Sequence, residues 1–396
     1  MHGRELPHGQ PTPIIVYRDH LLRLSEIWVR SQGEALKGFC AHYAGSKRTT
    51  DLAVPADRMF LVNRGGLAGR IAEIAFKTTG YSPRLQRWAA SISPALIHAH
   101  YGIDGALVLP LVRRLRVPLV VTFHGYEATM RDEYAARSFY LHRKYLRHRA
   151  RLAREGALFI AVSKCVRQHL LAQGFPPDRT VTHYIGIDIA RFTPDPMVRR
   201  ENIVLFVGRF DVLKGATFAI RAMAEVQQSV PNAELVLIGD GPARSELELL
   251  AKRELAHCRF LGFRPQTEVK AWLNRAKVLC VPSQTIETGE CEAFGLVFAE
   301  AQAMGVPVVG FASGGVPEAV AHDLTGFLAP ERDWSALAGY IARLLADPEL
   351  WKRMSHAAQE RTSTLFDLVA QTRALEDLYR LTIRDHAAMS LRGRRD

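Results

Sequence analysis

Nothing in these 396 residues approaches the roughly 20 consecutive apolar positions that a membrane-spanning helix needs. The first residues, MHGRELPHGQPTP, lack the apolar stretch of a signal peptide, so the expected location is the cytoplasm. Cysteine is scarce too. Cys40, Cys165, Cys258, Cys280 and Cys291 form no CxxC pair and leave an odd count, which fits free thiols in a reducing compartment. No metal site is implied. Acidic residues run short only in the first half: residues 1–195 carry 28 Lys+Arg against 15 Asp+Glu, a net +13, whereas residues 196–396 carry 24 against 25, a net −1. A one-sided basic half meets something anionic, whether acidic lipid, a lipid-pyrophosphate or nucleic acid. Helix-surface arginine that serves only solubility accounts for the same excess.

The chain is too long for one ordinary core, and its 48% apolar and 23% charged residues predict two globular domains of roughly 200 residues each. From residue 202 onward, short β-branched runs alternate with helical periods, the pattern of a parallel sheet covered by helices. Strands are predicted at 202–207, 234–238, 277–281 and 306–310, and in the first half at 13–17, 58–62, 95–99, 118–123 and 157–162. The fold class is α/β, two Rossmann-like domains facing across a cleft: 1–193, 194–370, and a C-terminal helix with a basic tail at 371–396 that packs back on the first domain. Residues 193–196 are the expected hinge.

Chemistry gathers where predicted strands end. In GRFDVLKG (208–215), Gly208 lets backbone approach a ligand, Arg209 can fork onto phosphate oxygens, and Lys214 adds a point charge near a helix start. The alternative is a tight turn with two surface cations. IGDGPAR (238–244) reads equally as a structural turn or a nucleotide contact. In FLGFRPQTEV (260–269), Phe263 or Arg264 is available to cover a base. The segment 287–310 predicts a helix over 293–304 closed by Gly305, with Glu292 at its mouth beside the amides of Phe294, Gly295 and Leu296. Glu300, eight residues on, would then lie roughly 12 Å along the axis. One carboxylate can meet a sugar and the other a ribose, although Glu292 alone also reads as a charge favoured by the helix dipole and Glu300 as a surface charge.

The order GRxxxxKG, GDGP, ExFGxxxxE and GGVPE (314–318) resembles the retaining nucleotide-sugar glycosyltransferases of family 4, which have the GT-B fold. The first half is similar to the exopolysaccharide and colanic-acid type members through SEIW (25–28), IHAHYG (97–102), TFHGYE (122–127), AVSKCV (161–166) and YIGID (184–188). The resemblance implies that Arg209 and Lys214 hold the donor diphosphate, Glu300 the ribose and Glu292 the hexose, with backbone contacts from Phe294, Gly295 and Leu296. His124 would face the cleft and touch the donor sugar; His98 and His100, alternating onto one strand face, serve either as site residues or as core hydrogen-bonders. One departure stands out. The glycine pair that many members carry in the first βα turn is replaced by RDHLLRLSEIW, with Ser25 as the expected helix N-cap.

These readings converge on a metal-independent hexosyl transfer from a nucleoside diphosphate sugar to a lipid-linked saccharide, with peripheral membrane contact through the basic half and no nucleic-acid partner. Residues 140–156 form a strongly basic helix in which Tyr140, Tyr145, Leu146 and Leu152 leave room for an apolar stripe against headgroups. Alternatives are the same fold with a soluble acceptor, a nucleotide-sugar epimerase, and a nucleic-acid binder.

Overall fold

The computed structural model describes residues 11–21, 26–49 and 53–392, without the side chains of Ser390 and Arg392. Ser25, the expected N-cap, lies outside them. The chain forms two compact units, one made of Met1–Val162, Val166–Gly186 and Leu368–Asp396, the other of Ser163–Cys165 and Ile187–Asp367.

In the first unit seven parallel strands stand in the order Met59–Leu61, Phe39–Gly45, Thr12–Tyr17, Ile97–His100, Leu119–Phe123, Leu158–Ala161, Thr180–Thr182. The central strands are continuous apolar runs because helices bury both of their faces. Leu119, Val120, Val121 and Phe123 are all fully buried. Two strands of this seven-stranded sheet escaped the sequence pattern. Phe39–Gly45 interleaves Cys, His and Gly with its apolar residues, and Thr180–Thr182 is only three residues long.

The second unit is a six-stranded parallel sheet in the order Cys258–Gly262, Glu234–Ile238, Glu201–Val207, Ala276–Cys280, Val308–Phe311, Gly326–Ala329. The helix Ala216–Ser229 packs through Ala219, Ile220, Met223 and Val226, an i, i+1, i+4, i+7 stripe that matches the helical period. In both sheets the strand order reverses beside the first strand of the unit. In open α/β sheets that switch point opens a crevice at the carboxyl ends of the strands, where ligands bind.

The expected hinge at 193–196 is not where the units divide. The chain leaves the first unit between Gly186 and Ile187, and the stretch beyond is anchored in the second: Phe192 is buried and the Asp195 amide donates to Asn274 Oδ1 at 3.0 Å. Proline and aspartate there mark a fixed turn.

The terminal helix Leu368–Arg392 belongs to the first unit, beginning three residues ahead of the expected boundary. Leu375 and Tyr379 sit in its core, the Tyr379 ring packing edge-on to Phe39 at 5.3 Å. Glu376 accepts from the amides of Lys37 and Gly38 at 2.6 and 2.8 Å.

GDGP resolves as architecture. Gly239 has φ +146°, and a Cβ there would lie 1.8 Å from the Gly208 carbonyl oxygen. The two turns are also tied by Gly208 N–H to the Ile238 carbonyl and Phe210 N–H to the Asp240 carbonyl, at 3.0 and 2.9 Å. Gly239→Ala is therefore expected to destabilise the protein by about 2 kcal/mol or more. Urea unfolding measures it, and an unchanged midpoint would contradict the close packing.

Candidate active site

The second unit brings Lys214 and Glu292 together from loops that follow the two strands flanking its switch point, Glu201–Val207 and Ala276–Cys280. Lys214 Nζ lies 2.5 Å from Glu292 Oε2, and the same oxygen accepts from Ser283 Oγ at 3.0 Å. The two loops are clamped: Gln284 donates its backbone amide to the Leu213 carbonyl and its side-chain amide to the Val212 carbonyl, both at 2.8 Å. Asp211 shapes the first loop from inside by accepting from the Lys214 amide at 3.0 Å. Its other carboxylate oxygen pairs with Arg209, whose side chain is 73% exposed. Arg209 thus stands in solvent at the loop tip, while Lys214 is held inward.

Glu292 is not at a helix mouth. The helix runs Leu296–Ala303, with Gly295 before it at φ +81°, a backbone shape that opposes helix over 293–295. A Cβ on Gly295 would also strike the Phe298 ring at 2.4 Å. The helix amides at this end therefore begin with Leu296. Phe294 turns its ring into the core against Phe366, with centroids 5.0 Å apart. The distance expected between Glu292 and Glu300, which assumed one continuous helix, does not apply. Glu292 is instead fixed by its backbone, its carbonyl accepting from the Gly315 amide at 2.7 Å. The glycine pair of the GGVPE motif packs on this stretch, a Cβ on Gly314 falling 2.3 Å from the Glu292 carbonyl oxygen.

Glu300 lies on the inner part of the helix and accepts from Gln266 Nε2 at 2.8 Å. Burial pushes its carboxyl up to about 7, against the opposing pulls of the Gln266 hydrogen bond and the Arg191 charge. Gln266 opens the helix Gln266–Arg275, three residues after Phe263, which is 62% exposed. The exposed ring thus lies three residues along the chain from the side chain that holds Glu300. Arg264, the other residue considered for a base, pairs with Glu268 at 3.2 Å. Gln266 and Ser283 carried no sequence signal, since each is a single polar residue without a motif; only the fold shows what they touch.

In the first unit, His124 follows the strand Leu119–Phe123. Its Nε2 lies 3.1 Å from His100 Nδ1, and its ring packs on Trp28 and Tyr101 with centroids 4.2 and 4.8 Å away. Its Nδ1 is buried with no hydrogen-bond partner among the described residues. Burial, then the Arg18 charge, holds the imidazole well below its usual range and therefore neutral. The His124 amide donates to Glu127 Oε1 at 2.9 Å. Burial pushes the Glu127 carboxyl up to about 7. His98 is structural: its two ring nitrogens engage Tyr379 Oη at 2.6 Å and Thr122 Oγ1 at 2.7 Å.

The segment that replaces the family's glycine pair builds a charge cluster. Arg18 donates to Asp104 Oδ2 at 2.8 Å and to Glu26 Oε1 at 2.9 and 3.1 Å, with Tyr101 stacked 4.2 Å from its guanidinium. Burial works against the Arg18 charge, but Asp104 and Glu26 outweigh it and raise the pKa. Sequence reading passed over Asp104 because it looks like an ordinary first-turn acid of the helix Gly102–Leu115.

Comparison with known proteins agrees with this arrangement. Residues 194–361 match the glycosyl transferases group 1 and residues 46–191 match Glycosyltransferase Family 4. The amylovoran biosynthesis glycosyltransferase AmsK of Erwinia amylovora is 31% identical over 252 residues, which is 62% of this chain and 60% of that protein. The chain thus spans less than two thirds of that relative's length. The D-inositol 3-phosphate glycosyltransferase of Corynebacterium efficiens is 33% identical over 306 residues, 72% of this chain and 70% of its own. Among solved structures, Anabaena HepE in complex with UDP and glucose superposes with a TM-score of 0.74 at 22% identity, covering 93% of this chain and 99% of that one. By sequence in both halves and by fold, the chain belongs to the family 4 glycosyltransferases of GT-B architecture.

Proposed function

We propose that the protein transfers a hexosyl group from a nucleoside diphosphate sugar to a hydroxyl of a lipid-linked saccharide, with retention of anomeric configuration, in the assembly of an exopolysaccharide or surface polysaccharide. The observation that carries this reading is the joined set Lys214, Glu292 and Ser283 at the switch point, with Glu300, Gln266 and Phe263 in the same unit. Phe263 suits a base, Glu300 the ribose hydroxyls, Lys214 and Arg209 the diphosphate, and Glu292 the hexose hydroxyls. Departure of the diphosphate develops negative charge, and Lys214, Arg209 and the Leu296 amide stabilise that charge more as it grows. These cations replace a metal in the proposed mechanism, so EDTA is expected to leave the rate unchanged. No carboxylate is assigned as a covalent nucleophile; the acceptor attacks the face the diphosphate leaves, and the leaving phosphate takes the acceptor's proton. The work is expected on the cytoplasmic side of the membrane, where nucleotide sugars are made.

The test is thermal stabilisation by a panel of UDP-, GDP-, ADP- and dTDP-sugars, since a ligand of the native state raises apparent stability, followed by analysis of the anomeric configuration of the product. No stabilisation by any of them would overturn the reading. Glu300 adds a pH signature. Its carboxylate, the form that accepts from ribose hydroxyls, predominates only above about pH 7. Donor affinity is expected to rise between pH 6 and pH 8, and Glu300→Gln to bind more weakly with a flat profile; titration calorimetry across that range decides it. A soluble acceptor is the second reading, favoured by the 33% identity to a D-inositol 3-phosphate glycosyltransferase.

A further inference from the structure

The helix Gly66–Thr79 presents Leu67, Ile71 and Ile74 to solvent at 75%, 59% and 66% exposure. Spacings of four and three residues put them in one narrow strip, and Thr78 continues it. Isolated apolar side chains on a surface need no explanation, but a strip of branched aliphatics does. The opposite side of the helix buries Gly69 and Phe76, so the strip is not a misplaced core face.

The neighbouring helix Tyr140–Glu155 differs from its sequence reading. Tyr145 and Leu152, expected on an apolar stripe toward headgroups, are fully buried and face inward. Its outer side carries Arg143, Arg147 and Arg154, all exposed, with Tyr140 among them. Lys144 Nζ donates to the Lys77 and Thr78 carbonyls at 2.8 and 2.9 Å. An ammonium thereby closes the carboxyl end of the first helix and fixes the two helices side by side. At that junction lies a cavity of about 270 Å³ lined by Thr78, Thr79, Tyr140, Arg147, His148 and Arg151. Two nearby carboxylates are already engaged, Glu155 by Arg113 and Arg151, and Asp132 by Arg149, while Glu133 is exposed. Arg70, Arg143 and Arg147 have no ion pair among the described residues.

We propose that the strip Leu67, Ile71 and Ile74 and the adjoining arginine face of the helix Tyr140–Glu155 form one surface that docks the protein on an anionic lipid bilayer. The strip enters the boundary between headgroups and acyl chains, and the arginines meet lipid phosphates. An apolar strip bordered by cations that lack internal counterions is the chemistry of an interfacial helix drawn to anionic lipid. Nucleic acid would use the arginines but leave the aliphatic strip in water, because bases are met by aromatic stacking. A second copy would cover the strip while bringing two sets of unpaired arginines together. The proposal deepens the lipid-linked acceptor reading but does not require it.

Flotation of the full chain with vesicles of phosphatidylglycerol and phosphatidylcholine, against phosphatidylcholine alone, tests it. Binding to the anionic vesicles alone is expected, weakening with added salt. Leu67→Gln/Ile71→Gln/Ile74→Gln and, separately, Arg143→Gln/Arg147→Gln are each expected to reduce bound protein at least tenfold with unchanged unfolding midpoints. Failure of the wild type to float, equal binding to neutral vesicles, or wild-type flotation of the triple variant would overturn the proposal. So would a lipid-independent dimer in sedimentation that the triple variant abolishes, since the strip would then belong to a second copy. Failure of every sugar nucleotide to bind would sink the transferase reading and leave the flotation result standing.

Discussion

Lys214→Ala is expected to lower kcat/KM for transfer by about 10²–10³-fold, the loss seen when one preorganised donor to a developing anion is removed. Two effects add in this variant. The diphosphate loses a cation held inward by a clamped loop, and Glu292 loses the ammonium 2.5 Å from its Oε2, leaving a buried carboxylate with Ser283 alone. Glu292→Ala separates the two. It frees Lys214 of its internal partner, so affinity for the bare nucleoside diphosphate is expected to rise while sugar transfer falls. Calorimetry with the diphosphate and initial rates with the sugar nucleotide read the two arms. Equal affinity in wild type and Glu292→Ala would show that the pair is not in competition with the ligand, and wild-type transfer in Lys214→Ala would remove the site.

Truncation after Asp367 is expected to abolish soluble folding of the first unit. Leu375 and Tyr379 are buried in its core, and large-to-alanine changes at such positions typically cost about 2–5 kcal/mol each, which together rivals the total stability of a domain. Removing the helix also strips Lys37 and Gly38 of their carboxylate partner and exposes Phe39. The milder Leu375→Ala/Tyr379→Ala variant keeps the chain length and is expected to lower the unfolding midpoint of the first unit by well over 5 °C. Limited proteolysis, with cleavage expected in residues 12–186 and not in 201–365, locates the damage. A truncated chain that stays folded throughout would show that the helix is an accessory.

Four of the six strands in the second unit could be read in advance from their apolar runs and the glycine or proline near their ends, whereas Cys258–Gly262, with Arg259 inside it, and the four-residue Gly326–Ala329 could not. The strand Glu234–Ile238 coincides with its predicted limits. Gly295 shows where such reading stops. Residues 293–295 look helical by composition, and only a φ of +81° reveals that the chain bends there. The site divides similarly. Lys214, Glu292 and Glu300 stood out as charges in motifs, whereas Ser283 and Gln266 matter through single hydrogen bonds made across the fold. In the first unit, the basic helix suggested a membrane face, but its Tyr145 and Leu152 point inward, and the exposed aliphatic strip belongs to another helix whose sequence resembles an ordinary amphipathic one. Helical periodicity tells which residues share a face, not which face is covered.

The first unit is closed by a helix separated from the rest of it by residues 187–367. On a ribosome adding about 5–20 residues per second, the seven-stranded sheet would wait on the order of 10–40 s for Leu375 and Tyr379, with Phe39 and the edge of its core uncovered. The second unit, apart from Ser163–Cys165, is encoded without interruption and can be complete before that helix emerges. The order of birth is thus the reverse of the order of sequence: the half that begins the chain is the last to be finished, and its unfinished core is the surface a chaperone would meet.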